Sequence, residues 1–254
     1  MFQIGHRVYY VWLRNAVSYR RFILPTFIAS IAEPVLYLVA MGLGIGSYMG
    51  LIEGKPYLHF IAPGLAVSAV MFANSFECTY SSMVRMTIEK VYNAQLVTPV
   101  SVQEIVAGEI LWGMTRGMVS GVLMLIVLAI MGVARGPWLV CYPLLWAVVG
   151  LFFSSLAMVM TSFAKNFDFF TYFFHLFLSP MFFFSGIFFP LADFPAPVRI
   201  IANFLPLTHA AEISRSFMRG DPGLATLARL AGLVLFGFVF FCIALRRMKG
   251  RIIK

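Results

Sequence analysis

The 254-residue chain is 61% hydrophobic and 11% charged, with a mean hydropathy of +0.90, where soluble domains carry roughly 25% charged residues. Apolar runs of about 20 residues recur along it, which makes it an all-α, polytopic membrane protein and leaves too little polar chain for a separate catalytic domain. The formal charge of +9 is concentrated at the ends of the apolar runs, a pattern that serves membrane-surface attraction and not nucleic acid. Cys78, Cys141 and Cys242 lie apart within or beside apolar runs, without a C-x-x-C, so neither a disulfide framework nor a zinc site is supported.

Residues 1–21 read as an interfacial amphipathic helix. Arg7, Arg14 and Arg21 recur every seven residues, and Val8, Val11, Trp12, Ala16 and Tyr19 supply an aromatic, apolar face. The charged stretch is long and the next apolar run is nearly a full span, which argues against a signal peptide. Six transmembrane spans are expected, at residues 22–43, 59–81, 105–131, 139–163, 169–189 and 224–245. An even number puts both termini on one side of the membrane. With both in the cytosol, Arg7, Arg14, Arg20, Arg21, Arg85, Lys90, Lys165 and the tail RRMKGRIIK lie inside, against Lys55, Arg135, Arg199, Arg215, Arg219 and Arg229 outside. The positive-inside rule selects that orientation.

The connection between spans two and three is the one sizeable polar segment on the cytosolic side. Residues 83–97 read as a helix, either separate or continuing span two; it carries Arg85, Glu89 and Lys90 beside Met86, Val91, Tyr92 and Leu96. Mixed charge with apolar side chains suits docking into a groove on another protein. Thr98-Pro99 stops that helix, and Ser101 with Glu104 forms a capping box that starts span three. On the other side of the membrane, residues 190–223 are too apolar for a solvated loop. Two short helices are expected there, near 197–203 and 206–218, the second with Pro206 in its first turn.

Ionisable groups inside spans are functional candidates by default. Glu33 lies deepest and precedes Pro34; it reads either as a proton-relay or substrate-contacting carboxylate or as a structural partner for a group such as Arg116. Glu77 and Arg116 lie near the cytosolic ends of their spans and could pair, and His175 is a buried hydrogen-bonding group or a substrate contact. Span five is rich in phenylalanine. Phe182, Phe183 and Phe184 could line a substrate path, with Gly186 and Pro190 as a bendable gate, although phenylalanine is also at home facing lipid. His6, His59, His175 and His209 fall in four separate segments, and no G-x-x-x-x-G-K-[ST] loop occurs, so the chain is not expected to bind ATP itself.

The segment RMTIEKVYNAQLVTPVSVQEIVAGEILWGMTRG resembles the cytosolic connection of ABC-2 exporter permeases. SPMFFFSGIFFPLADFPAPVRIIANFLPLTHAAEISRSFMRG and AEPVLYLVAMGLGIG strengthen the likeness, which is closest to permeases exporting nodulation factors, lipo-chitooligosaccharides. It implies one membrane domain over residues 1–254, with residues 82–104 as a coupling segment and 190–223 as an external re-entrant segment. It further implies a homodimer in the bacterial inner membrane with two copies of a separate ATPase, which would bring ATP and Mg, while this chain binds no cofactor or metal. Arg85, Glu89, Lys90, Tyr92, Asn93 and Pro99 would then form the ATPase-coupling set, with the turn at residues 164–168 as a minor contact. Related members move O-antigen, teichoic acid, drugs or lipids. A proton-coupled carrier using Glu33 and an intramembrane lipid enzyme are the alternatives left open.

Overall fold

A computed structural model describes residues 5–20, 32, 34–52, 54–134 and 136–252. Among these the chain is helical throughout, with a single isolated bridge between Ile52 and Lys55. The helices are α1 (Arg7–Tyr19), α2 (Pro34–Ser47), α3 (Tyr57–Ile88), α4 (Val91–Leu96), α5 (Val102–Ile130), α6 (Tyr142–Phe163), α7 (Asp168–Phe184), α8 (Ala196–Phe204), α9 (Pro206–Arg219) and α10 (Leu224–Ile252).

Among the described residues, α3, α5, α10 and the segment Pro137–Phe163, which contains α6, are long and apolar enough to cross a membrane. The shorter apolar helices α2 and α7 stand where spans one and five are expected. The first part of span one, and Glu33 with it, lies outside the described residues. Span five is shorter than expected. Its helix ends at Phe184, and Gly186 then takes a positive φ of 71°, a conformation that a side chain would oppose. The second span is longer than expected, running past residue 81 to Ile88. Its 32 residues amount to about 48 Å of helix, well beyond a hydrocarbon core of about 30 Å.

α3 and α6 form the centre. Ile61, Leu65, Val67, Val70 and Met71 of α3 and Trp146, Val149 and Phe153 of α6 are almost wholly buried. α5 reaches both helices through glycines spaced four apart, which share one face. A Cβ at Gly113 would strike Cys78 and Ser154, one at Gly117 would strike Asn74, and one at Gly121 would lie 2.6 Å from the Trp146 ring. α10 lies along α6, with Gly237 against the Phe152 backbone, and turns Leu227, Val234, Leu235, Phe236 and Phe238 outward.

The two short helices expected after span five are present as α8 and α9, with Pro206 opening the latter. α9 is wedged among α3, α6 and α10, burying Leu207, Ala210, Ala211 and Ile213. The Ser214 hydroxyl donates to the Pro63 carbonyl (2.8 Å), and the Tyr142 hydroxyl donates to the Ser214 carbonyl (3.0 Å). Arg215 is the main tie. Its guanidinium donates to the carbonyls of Gly186 (2.5 Å) and Phe60 (3.5 Å), pairs with Glu212 (2.7 Å) and lies over the Phe60 ring. Arg215 therefore locks the break that ends α7. α8, by contrast, exposes Ile200, Ile201 and Phe204.

Candidate functional site: a polar helix connection anchored in a buried charge cluster

The capping box at the head of α5 forms as the sequence requires. The Glu104 amide donates to Ser101 Oγ (3.2 Å), the Ser101 amide donates to Glu104 Oε2 (2.8 Å), and Glu104 Oε1 also accepts from the Gly5 amide (3.1 Å). Ahead of it, the expected coupling helix is divided. Residues 85–88 complete α3, Lys90 takes a left-handed conformation (φ 54°), and α4 covers Val91–Leu96. That conformation is uncommon for a residue with a side chain and turns the chain sharply. Ile88, Glu89, Lys90, Asn93, Val97 and Pro99 are exposed around the turn.

Arg85 and Tyr92 point the other way. Arg85 Nη1 binds Glu77 (2.8 Å), while its Nη2 (2.6 Å) and Nε (3.0 Å) bind one oxygen of Glu109. Glu109 is fully buried and accepts two further bonds, from Ser82 Oγ (2.7 Å) and Asn15 Nδ2 (2.9 Å). Glu77 also accepts from Trp112 Nε1 (2.9 Å) and faces Arg116 Nε at 3.5 Å. Arg116 in turn bonds the Tyr19 hydroxyl and covers its ring. Two carboxylates and two guanidiniums thus balance in one cluster, as buried charges must. Burial, reinforced by the Glu109 carboxylate, pushes the Tyr92 phenol well above its ordinary pKa.

The cluster draws in α1, which does more than rest on lipid. Val11 sits so close to α5 that a Cβ on Gly108 would lie 2.6 Å from it. Trp12 donates to Thr115 (2.9 Å), Asn15 reaches Glu109, Arg14 faces Glu89 at 3.7 Å, and Arg7 binds the Pro99 carbonyl. Tyr9, Tyr10 and Val17 remain exposed on the opposite side. The amphipathic helix therefore ties down both ends of the stretch from Glu89 to Pro99.

On the far side of the Glu77–Arg116 pair lies a groove of about 510 Å³, in the size range of small-ligand sites. Tyr37 of α2, Phe72, Phe76 and Tyr80 of α3, and Phe174, Phe182 and Phe183 of α7 line it, with Arg116, His175, Thr171 and Ser179 as its polar groups. Phe182 meets Tyr37 and Phe72 edge to face, each with centroids 5.5 Å apart. The walls are rigid aromatic surfaces with few polar points, suited to an amphiphile.

Residues 6–218 match the family described as ABC-2 type transporter. The chain belongs to that family. Nodulation protein J of Rhizobium leguminosarum bv. viciae is 32% identical over 246 residues, covering 96% of this chain and 94% of that one. Nodulation protein J of Sinorhizobium fredii (strain NBRC 101917 / NGR234) is 30% identical over 244 residues, 96% and 93% of the two chains. The inner membrane transport permease YadH of Escherichia coli (strain K12) is 25% identical over 234 residues, 92% and 91%. No solved structure matches the chain. The family and the likeness to nodulation protein J agree with the resemblance carried by residues 85–117, 179–220 and 32–46.

In this ABC-2 type chain, which is a multi-pass membrane protein, the sequence-derived site residues separate into three groups. Glu89, Lys90, Asn93 and Pro99 form an exposed edge, whereas Arg85 and Tyr92 are its internal anchors. Glu77 and Arg116 meet as an ion pair, and Arg116, His175, Phe182 and Phe183 share the groove. Phe184 is exposed against Phe194, Gly186 is held by Arg215, and Pro190 opens the turn Leu191–Asp193; none of these three lines the groove. Glu109, Trp112, Asn15 and Arg215 escaped sequence reasoning. The signal for the first two was present, because Glu109, Trp112 and Arg116 fall at i, i+3 and i+7 and so share a helical face.

Proposed function

We propose that this ABC-2 type chain is the membrane subunit of an ATP-driven exporter in the bacterial inner membrane. It has six spans and both termini in the cytosol, and works as a homodimer with two copies of a separate ATPase that carries ATP and Mg. Its cargo is an amphipathic lipid-linked or lipo-oligosaccharide molecule. Kinship with proteins named nodulation protein J and with an inner membrane transport permease supports this reading.

The observation that carries it is the two-sided coupling segment. An outer edge of Ile88, Glu89, Lys90, Asn93 and Val97 is open to a partner, while Arg85 behind it is bound to Glu77 and Glu109 at 2.8 and 2.6 Å. A docked ATPase that moves on binding or hydrolysing ATP pushes on α4. The push reaches α3 and α5 through the charge cluster, and the aromatic groove lies on the next face of α3. The groove is a cargo path that holds the apolar part of an amphiphile among Phe72, Phe182 and Phe183, with Arg116 and His175 toward its polar part. Export then proceeds between the two protomers.

Replacing Glu89 and Lys90 together by alanine tests the reading, since both side chains are exposed and the tie lost with them is the partly exposed Arg14–Glu89 pair at 3.7 Å. The expected result is loss of ATPase co-purification with normal membrane insertion, and loss of cargo export. Unchanged assembly and export would refute the coupling role. Export that continues without ATP and stops with the proton gradient would favour a proton-coupled carrier instead.

A further inference from the structure

Among the described residues, four wide turns inside the apolar helices close with a backbone bond from residue i to i−5, which at Ile45 is shared with the ordinary i−4 carbonyl of Met41. They link Ile45 to Ala40 in α2, Ser82 to Glu77 and Glu89 to Val84 in α3, and Ser179 to Phe174 in α7. Each such wide turn holds one residue more than an α-turn, and wide turns are frequent at functional sites. Here they have a shared location. The first wide turn of α3 contains Tyr80 and that of α7 contains Phe174 and His175, all on the groove, while that of α2 begins three residues beyond Tyr37. On its other face α3 presents Glu77, Ser82 and Arg85 to the charge cluster, and its second wide turn leads into α4.

We propose that the wide turns of α3 and α7 are register-shifting elements that convert movement of the coupling segment into a re-aiming of Tyr80 and His175 in the groove. The proposal rests on the exporter reading above. The part of α3 ahead of its wide turns cannot take up such movement, because Asn74 is packed against Gly117 of α5 and Ile61 to Met71 are buried. A tightly wound helix can change twist only by breaking a bond. A wide turn can migrate by one residue while exchanging an i−5 bond for an i−4 bond, so backbone satisfaction is kept even in lipid. Tyr80 packs on Phe174 with centroids 5.8 Å apart and on Phe170 at 5.1 Å. A twist in α3 is therefore passed directly to the wide turn of α7.

Deleting Thr87 tests this. The residue is exposed, its hydroxyl bonds only the Met83 carbonyl, and its removal lets Glu89 close on Val84 as an ordinary α-turn without displacing Arg85 or α4. The deletion variant should insert, hold its ATPase and hydrolyse ATP, yet export at least about tenfold less cargo, since the conformational step is blocked. Thr87→Ala, which keeps the length, should export normally. In the wild-type complex, the amides of Ser82, Glu89 and Ser179 should change exchange rate by about tenfold or more between nucleotide-free and ATP-trapped states, and those of residues 61–71 should not. Normal export by the deletion variant, or constant exchange at those amides, would overturn the proposal. Should the deletion fail to assemble, the exchange measurement decides. A wild-type protein that holds no ATPase removes the exporter reading itself, whereas an intact complex with static turns removes only this inference.

Discussion

Glu109→Leu is the sharpest perturbation of the charge cluster behind α4. The carboxylate is fully buried and accepts from Arg85, Ser82 and Asn15, so leucine strands donors of three residues on two helices, α1 and α3. Removing one partner of a buried ion pair costs about 3–5 kcal/mol. Arg85 retains Glu77 at 2.8 Å and its side chain is 13% exposed, which places the cost toward the lower end, about 3 kcal/mol. Adding Arg85→Met removes the stranded cation, so the double variant should recover at least about 1.5 kcal/mol of that loss. Reversible denaturant unfolding in detergent micelles, run as a double-mutant cycle, measures both quantities. A single-variant cost below about 1 kcal/mol, or strict additivity of the two substitutions, would refute the cluster as the anchor of the end of α3.

Two further outcomes follow from packing and from protonation. Gly117→Ala drives a methyl group into Asn74 and should destabilise by about 1–3 kcal/mol, whereas Gly232→Ala on α10, with open space around it, should be neutral or gain up to about 1 kcal/mol; equal thermal shifts for the two would contradict the close approach of α3 and α5. His209 on α9 has its imidazole pKa lowered, chiefly by burial and further by Arg229. The unfolded state then binds more protons, so docking of α9 weakens as pH falls through about 6.5, the ordinary imidazole value, and levels off below the depressed folded one. Hydrogen exchange over residues 206–219 should accelerate on acidification in the wild type and not in His209→Gln; identical profiles would rule out that histidine as the cause.

Much of the connection between α3 and α5 is legible in the sequence. Pro99 and the Ser101–Glu104 pair are local instructions, each acting within about one turn, and the restart of helix at Val102 follows from them. The break between α3 and α4 was not legible in the same way. The sequence places no glycine or proline there, and Lys90 adopts the left-handed conformation because α3 and α4 are held from outside, α3 through Arg85 and α4 through buried Tyr92. Arg85 looked like a surface charge by composition. Only the position of Glu109, 24 residues along the chain, turns it inward.

Hydropathy, the amphipathic spacing of α1, Pro206 and the capping box are properties of single segments, and the sequence by itself determined that this is a helical, multi-pass membrane chain with two amphipathic helices after its fifth apolar run. Which polar groups meet inside it is a property of pairs of helices. The join of Asn15, Glu77, Arg85 and Glu109, the lock of Arg215 on Gly186, and the gathering of Tyr37, Tyr80, His175 and Phe182 around one groove depend on how closely separate helices approach one another. The tertiary structure decides that, because burying a charge is tolerable only where packing brings its partner within hydrogen-bond reach.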